Sequence, residues 1–150
     1  MGALFDMVKT FLESDDWQFK QEDDRLLMNF GGKNGEWPCM AYVRESAGQG
    51  LFYSLAPVDV ELKHYADVLE FIARANFGMF VGNFELDVDS GTLQFRTSID
   101  IEDDEDKLTP HMLKSLLYQN VLTMDKYLPG LQAVLAGRSS AAEAIADAEG

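Results

Sequence analysis

The chain has 150 residues, 47% of them hydrophobic and 25% charged, enough to bury a core within one compact domain. Its 26 acidic residues against 12 basic ones give a formal charge of -14, and the basic residues form no run or stripe, which argues against a nucleic-acid partner. No segment approaches the roughly 20 apolar residues that a bilayer demands, so no membrane partner is expected either.

The opening "MGALFDMVKTFLES" breaks its apolar run at Asp6 and Lys9, unlike a signal peptide. Within it Leu4, Met7, Val8, Phe11 and Leu12 recur at helical spacing, which predicts a first helix over Ala3 to Ser14. Short β-rich segments follow: "WQFKQ", "RLLMNF", "WPCMAYVRE" and "LFYSLAP", separated by the turn-forming "EDD", "GGKNGE" and "SAGQG". They predict three or four antiparallel strands. Leu62, Tyr65, Leu69, Ile72 and Ala73 mark a second helix through residues 62–76, with Asn76 and Gly78 expected to close it in left-handed geometry.

Beyond that helix, Phe80, Gly82, Phe84, Leu86 and Val88 take even positions, and Leu93, Phe95, Ile99 and Ile101 odd ones. Two strands, each with one apolar face, are predicted there, and those residues should enter the core. With Ser90-Gly91 as a two-residue turn, Leu86 opposes Phe95, Phe84 opposes Thr97, Gly82 lies opposite Ile99, and Glu85 meets Arg96 on the polar face. Thr109 before Pro110 opens a third helix, with a stripe of Leu113, Leu116, Leu117, Val121, Met124 and Leu128. Pro129 and Gly130 should kink or interrupt it. Residues 1–137 then form one α+β domain, an antiparallel sheet of about five strands with three helices, in the order α-β-β-β-α-β-β-α. Residues 138–150 are a short tail, helical through Ala141, Ala144, Ile145 and Ala148 or loose.

Chemistry is sparse. His64 and His111 lie far apart and are not spaced for zinc, and the lone Cys39 can make neither an internal disulfide nor a Cys-only metal site. A thiol flanked by Pro38 and Met40 in a buried strand is packing rather than a nucleophile. "DVDSGT" departs from a calcium loop, since Gly91 is fifth from Asp87 and Ser98 stands where the bidentate Glu belongs. "GGKNG" lacks the spacing of a phosphate-binding loop, no serine sits in a G-x-S-x-G elbow, and "EDDEDK" at 102–107 is a solvated loop or a weak collector of hard cations. The expectation is no enzyme and no cofactor, in a soluble protein of a reducing compartment, most simply the cytoplasm.

One region carries a resemblance. "RANFGMFVGNFELDVDSGTLQFRTSIDI" and "NVLTMDKYLPGLQAVLAG", with "WPCMAYVRE" and "LFYSLAPVDV" upstream, resemble the YbjN family of small bacterial proteins over roughly Trp37 to Gly137. Arg74, Asn76, Gly78, Gly82, Asn83, Phe84, Arg96, Asn120, Asp125, Tyr127 and Pro129 match its pattern. The resemblance implies a fold similar to the type III secretion chaperones, a tendency to dimerise, and the label of a sensory-transduction regulator, with no catalytic residue to carry over. The glycines and asparagines of this region either serve the backbone or, with Arg74, Asn76, Phe77, Phe80 and Asn83, shape a groove where the second helix meets the hairpin. Met79 and Phe80 beside it would suit a subunit or peptide contact. A chaperone-like or regulatory homodimer that binds another protein is the leading expectation; a sensory module with a small-molecule pocket between the second helix and the sheet is the alternative.

Overall fold

The computed structural model describes residues 2–102 and 104–150; Met1 and Asp103 lie outside them. The expectation for the acidic run 102–107 therefore falls partly outside the described residues, and within it Glu105–Lys107 forms a single 3-10 turn. In chain order the elements are α1 (Ala3–Ser14), β1 (Phe19–Glu22), β2 (Arg25–Gly31), β3 (Glu36–Arg44), β4 (Gln49–Leu55), α2 (Tyr65–Asn76), β5 (Asn83–Leu86), β6 (Leu93–Asp100), α3 (Pro110–Leu135) and α4 (Ala141–Glu149). All strand pairs are antiparallel, in one sheet ordered β1-β2-β3-β4-β6-β5. Among the described residues the sheet thus has six strands where about five were expected, and the tail supplies a fourth helix. Ser140 caps α4 by accepting from the Glu143 N–H at 3.1 Å, and Ala141, Ala144 and Ile145 are buried.

The helices cover one face of the sheet. Leu26 and Met28 of β2, Trp37, Cys39, Ala41 and Val43 of β3, Phe52 of β4, Phe84 of β5, and Leu93 and Phe95 of β6 point into that layer and are buried. α1 adds Leu4, Phe5, Val8, Phe11 and Leu12, and its first turn is held from outside the helix: Glu45, following β3, accepts the Leu4 and Phe5 N–H groups at 2.7 and 3.0 Å. These are N–H groups that no intrahelical carbonyl could take, and the carboxylate also suits the positive end of the helix.

Thr109 caps α3 as expected, its Oγ1 accepting from the Met112 N–H at 3.1 Å. Pro129 does not interrupt the helix, which runs through it to Leu135. A proline there has no N–H for the carbonyl four residues back, that of Asp125. Asn34 of the β2–β3 turn replaces the missing donor, its Nδ2 donating to the Asp125 oxygen at 3.0 Å. The Asp125 carboxylate answers by accepting the Lys33 and Asn34 N–H groups at 3.0 and 2.8 Å. The turn "GGKNG" is therefore a clasp on α3, closed around the carbonyl that the proline orphans. Asn34→Ala should lower unfolding free energy by about 1 kcal/mol in the native sequence. In a Pro129→Ala background the loss should shrink, because the restored N–H serves the same carbonyl. Urea titration of the four chains measures the difference.

The β5–β6 hairpin keeps the predicted parity but not the predicted register. Phe84 pairs with Phe95, Glu85 with Gln94 and Leu86 with Leu93, a shift of two residues. The turn is longer than two residues because Asp87 folds it inward: its carboxylate accepts from the Asp89 N–H at 3.0 Å and the Ser90 hydroxyl at 2.9 Å. These bonds hold its pKa below the ordinary carboxylate value. Gly91 follows at φ +80, where an added Cβ would fall 2.4 Å from the Val60 carbonyl oxygen. Because the shift is even, Glu85 and Arg96 still share a face and form an ion pair at 3.4 Å, although Gln94 is the direct partner of Glu85.

Strand β5 is also shorter than its alternating pattern. Gly82 sits at φ +78 just before it, so the chain turns there, leaving Phe80 fully exposed and Val88 56% exposed. Of the even residues 80–88, Phe84 is buried and Leu86 partly so. The close approach at Gly82 is to Phe95 and Arg96 rather than Ile99: a Cβ would lie 2.6 Å from the Arg96 oxygen and 2.8 Å from the Phe95 ring.

Candidate functional site

The structure distributes the six groove candidates among different settings. Asn76 does not turn left-handed; it is the last residue of α2, and its amide reaches the edge of the sheet. Its Oδ1 accepts from the Phe84 N–H at 2.7 Å, and its Nδ2 donates to the Phe84 oxygen at 3.0 Å. That pair of bonds is what a neighbouring strand would offer, so a side chain closes the free edge of β5. Asn83 adds a longer bond to the same oxygen at 3.3 Å. Arg74 lies exposed on α2 and pairs with Glu70 at 3.0 Å.

Gly78, at φ +81, turns the chain out of α2 and leaves a projecting knuckle, with Phe77 90% and Phe80 100% exposed. Phe77 and Met79 border a hollow of about 250 Å³ that is completed by Thr123, Lys126, Tyr127 and Glu149, whereas Arg74, Asn76, Phe80 and Asn83 do not line it. Beneath it Tyr127 is buried, and burial, then the Glu149 charge, raise its pKa. Between α2 and the sheet, where the alternative sensory reading places a ligand pocket, aromatic rings pack against one another. Phe84 meets Phe95 edge-on at 4.8 Å and Tyr127 at 5.5 Å, and Phe71 packs against Phe84 and Tyr127 at 6.4 Å each.

Among the described residues, no helix lies on the other face of the sheet. The register sets Leu27 beside Met40, Met40 beside Tyr53 and Tyr53 beside Arg96, so that these side chains cross the bare face in one row. Tyr42, Leu51 and Leu55 flank the row, and all six apolar and aromatic residues are half-buried. Two hollows open along it, about 590 Å³ over Leu27, Pro38, Met40 and Leu55, and about 270 Å³ over Tyr42, Leu51, Arg44 and Arg96. Of these, Met, Tyr and Arg are residue types enriched in protein interfaces relative to the rest of a surface.

Sequence reasoning overlooked this face, although a signal existed. "RLLM", "CMAY" and "LFYSL" are apolar at both parities, as a strand is when both its faces meet protein.

Elsewhere, Cys39 is buried beside Ser54, with its sulfur 3.7 Å from the hydroxyl, and burial pushes the thiol pKa up to about 12. Such a thiol is packing material, not a nucleophile. Among the described residues, no group of three or more His, Cys, Asp and Glu is placed to hold a metal ion, and no helix is long and apolar enough to cross a membrane.

No curated protein gives a sequence match. Among solved structures, YbjN from E. coli, titled "a putative transcription regulator", superposes with a TM-score of 0.61 at 11% identity, covering 87% of this chain and 88% of that one. A HopA1–SchA chaperone–effector complex superposes with a TM-score of 0.47 at 18% identity, covering 85% of this chain and 92% of that one. The model of the YbjN family, described as "Putative bacterial sensory transduction regulator", matches residues 4–133, and the chain therefore belongs to that family.

Proposed function

We propose that this chain is a non-enzymatic protein-binding module, chaperone-like or regulatory, that engages its partner on the bare face of the sheet. One observation carries the reading: four helices stack on one side while Leu27, Met40, Tyr42, Leu51, Tyr53 and Leu55 remain half-exposed on the other. Half-covering an apolar face in water forfeits burial worth about 25 cal/mol per Å², which a docking partner recovers. Addition of a strand at an edge is the weaker route. Asn76 occupies the β5 edge, and β1 at the other edge has only four residues, two of them the ion-paired Lys20 and Glu22. Affinity capture with the native chain and with a Met40→Asp chain tests the reading. Proteins retained by the first and lost by the second are expected; identical capture by both would overturn it.

A homodimer is part of the same proposal, and the knuckle supports it. Phe77 and Phe80 project into solvent next to the hollow at Thr123 and Tyr127, a knob and a recess on one surface, as a two-fold contact requires. Light scattering coupled to size exclusion should give twice the chain mass, falling to the single mass in a Phe77→Ser, Phe80→Ser double variant. A clean monomer from the native chain at micromolar concentration would refute the dimer.

A further inference from the structure

We propose that Asn34 is a site of spontaneous modification, an amide that the clasp on α3 protects and whose conversion to a carboxylate keeps the clasp from closing again. Of the five asparagines, Asn29, Asn76, Asn83 and Asn120 precede Phe or Val and lie in strands or helices. Asn34 instead precedes Gly35 and is exposed in the turn between β2 and β3. Glycine has no side chain to hold its nitrogen away from the neighbouring amide. The Gly35 nitrogen is also unengaged: Gly32 donates its N–H to the Gly35 oxygen at 2.8 Å, but among the described residues the Gly35 N–H donates to no acceptor.

The chemistry needs water alone. The Gly35 nitrogen attacks the side-chain carbonyl carbon of Asn34, the bond from that carbon to the amide nitrogen breaks, and the nitrogen leaves as ammonia with the Gly35 proton. Water then opens the resulting cyclic imide. Cleavage of the side-chain carbon from the Gly35 nitrogen gives Asp, and cleavage of the backbone carbonyl carbon from it gives isoaspartate, in which the chain runs through the side chain. An NH has been exchanged for an O, and nothing is oxidised or reduced.

The closed clasp opposes the first step. Asn34 Nδ2 donates to the Asp125 carbonyl at 3.0 Å, and the Asn34 and Lys33 N–H groups donate to the Asp125 carboxylate at 2.8 and 3.0 Å, so backbone and amide are both fixed on α3. Reaction therefore waits on local opening of the turn, a smaller event than unfolding of the chain. The product cannot restore the closed form. Its carboxylate has no hydrogen to donate, so the carbonyl that Pro129 leaves without a helical N–H loses the donor from the turn as well, and a new negative charge stands against the Asp125 oxygens. The longer backbone of isoaspartate also breaks the spacing at which the Gly32 N–H meets the Gly35 oxygen. The turn is thus a latch that opens once.

The test is incubation of the full chain in mildly alkaline buffer at physiological temperature, with peptide mapping at acid pH to locate the exchange of NH for O. Asn34 should convert at least about tenfold faster than any other asparagine, and at least about tenfold more slowly than in an excised peptide of residues 29–38, which has no clasp. Asp125→Ala, its fold verified by a thermal melt, should raise the rate at least about threefold. The converted chain, separated by anion exchange on its added charge, and an Asn34→Asp chain should both melt about 3 °C or more below the native chain. Conversion of Asn34 no faster than of the other asparagines would overturn the site. Equal rates in chain and peptide, or in the native and Asp125→Ala chains, would overturn protection by the clasp, and a converted chain that melts with the native one would overturn the latch.

Discussion

Gly82→Ala is expected to cost about 2–5 kcal/mol of unfolding free energy, while Gly78→Ala, four residues earlier, costs only about 1–2 kcal/mol. The two glycines have nearly the same backbone, φ +78 and φ +81. An L side chain pays the same left-handed penalty at both. They differ in what surrounds them: a Cβ at Gly78 meets nothing within 4 Å, whereas at Gly82 it lies 2.6 Å from the Arg96 carbonyl oxygen and 2.8 Å from the Phe95 ring. The first neighbour is backbone in the sheet and the second is fully buried, so neither can yield without opening the β5–β6 pair. Equal destabilisation in chemical unfolding would mean that glycine at 82 serves only its own φ. A much larger loss at 82 would establish that it lets the knuckle press against the sheet.

That contrast marks what the sequence could disclose. A left-handed glycine before a strand is legible from composition, but the atom it approaches depends on register, and register was decided by a side chain. Asp87 bonding to Asp89 and Ser90 lengthened the turn by two residues, which kept the parity that an apolar pattern encodes and moved every partner. The first and third helices were readable because their signals are local: a 3.6-residue stripe in α1, and Thr109-Pro110 at the start of α3. For α2 the helix was legible but not its inner face: it starts at Tyr65 and buries Val68, Phe71, Ile72 and Ala75, while Leu62 and Leu69 of the expected stripe are exposed. Pro129 misled for the opposite reason. Its effect depended on Asn34, 95 positions away in the chain, supplying a donor to the Asp125 carbonyl. Of the candidate site, the motif singled out Phe77 and Phe80 but also assigned Phe80 to the core, where it is fully exposed, and the bare sheet face was not foreseen. A search for one apolar parity per strand assigns the second parity to solvent, and here Leu27, Met40 and Tyr53 occupy that second parity.

Asn76→Asp is the other change with a large expected effect, about 2–4 kcal/mol, although it alters a single group. The native amide matches the Phe84 backbone as donor and acceptor at 3.0 and 2.7 Å. A carboxylate keeps the acceptor for the Phe84 N–H but sets a second oxygen against the Phe84 carbonyl, so one bond becomes a repulsion. The consequence should reach beyond stability. With its donor lost from the edge, the Phe84 C=O is open to another chain, and concentration-dependent growth in scattering mass should appear that the native protein lacks. If the variant loses stability without assembling, then Asn76 fastens α2 to β5 and the edge is guarded by other means, the neighbouring knuckle being nearest. If it also assembles, the native protein spends a side chain on keeping this edge from pairing, and partner binding is left to the bare face.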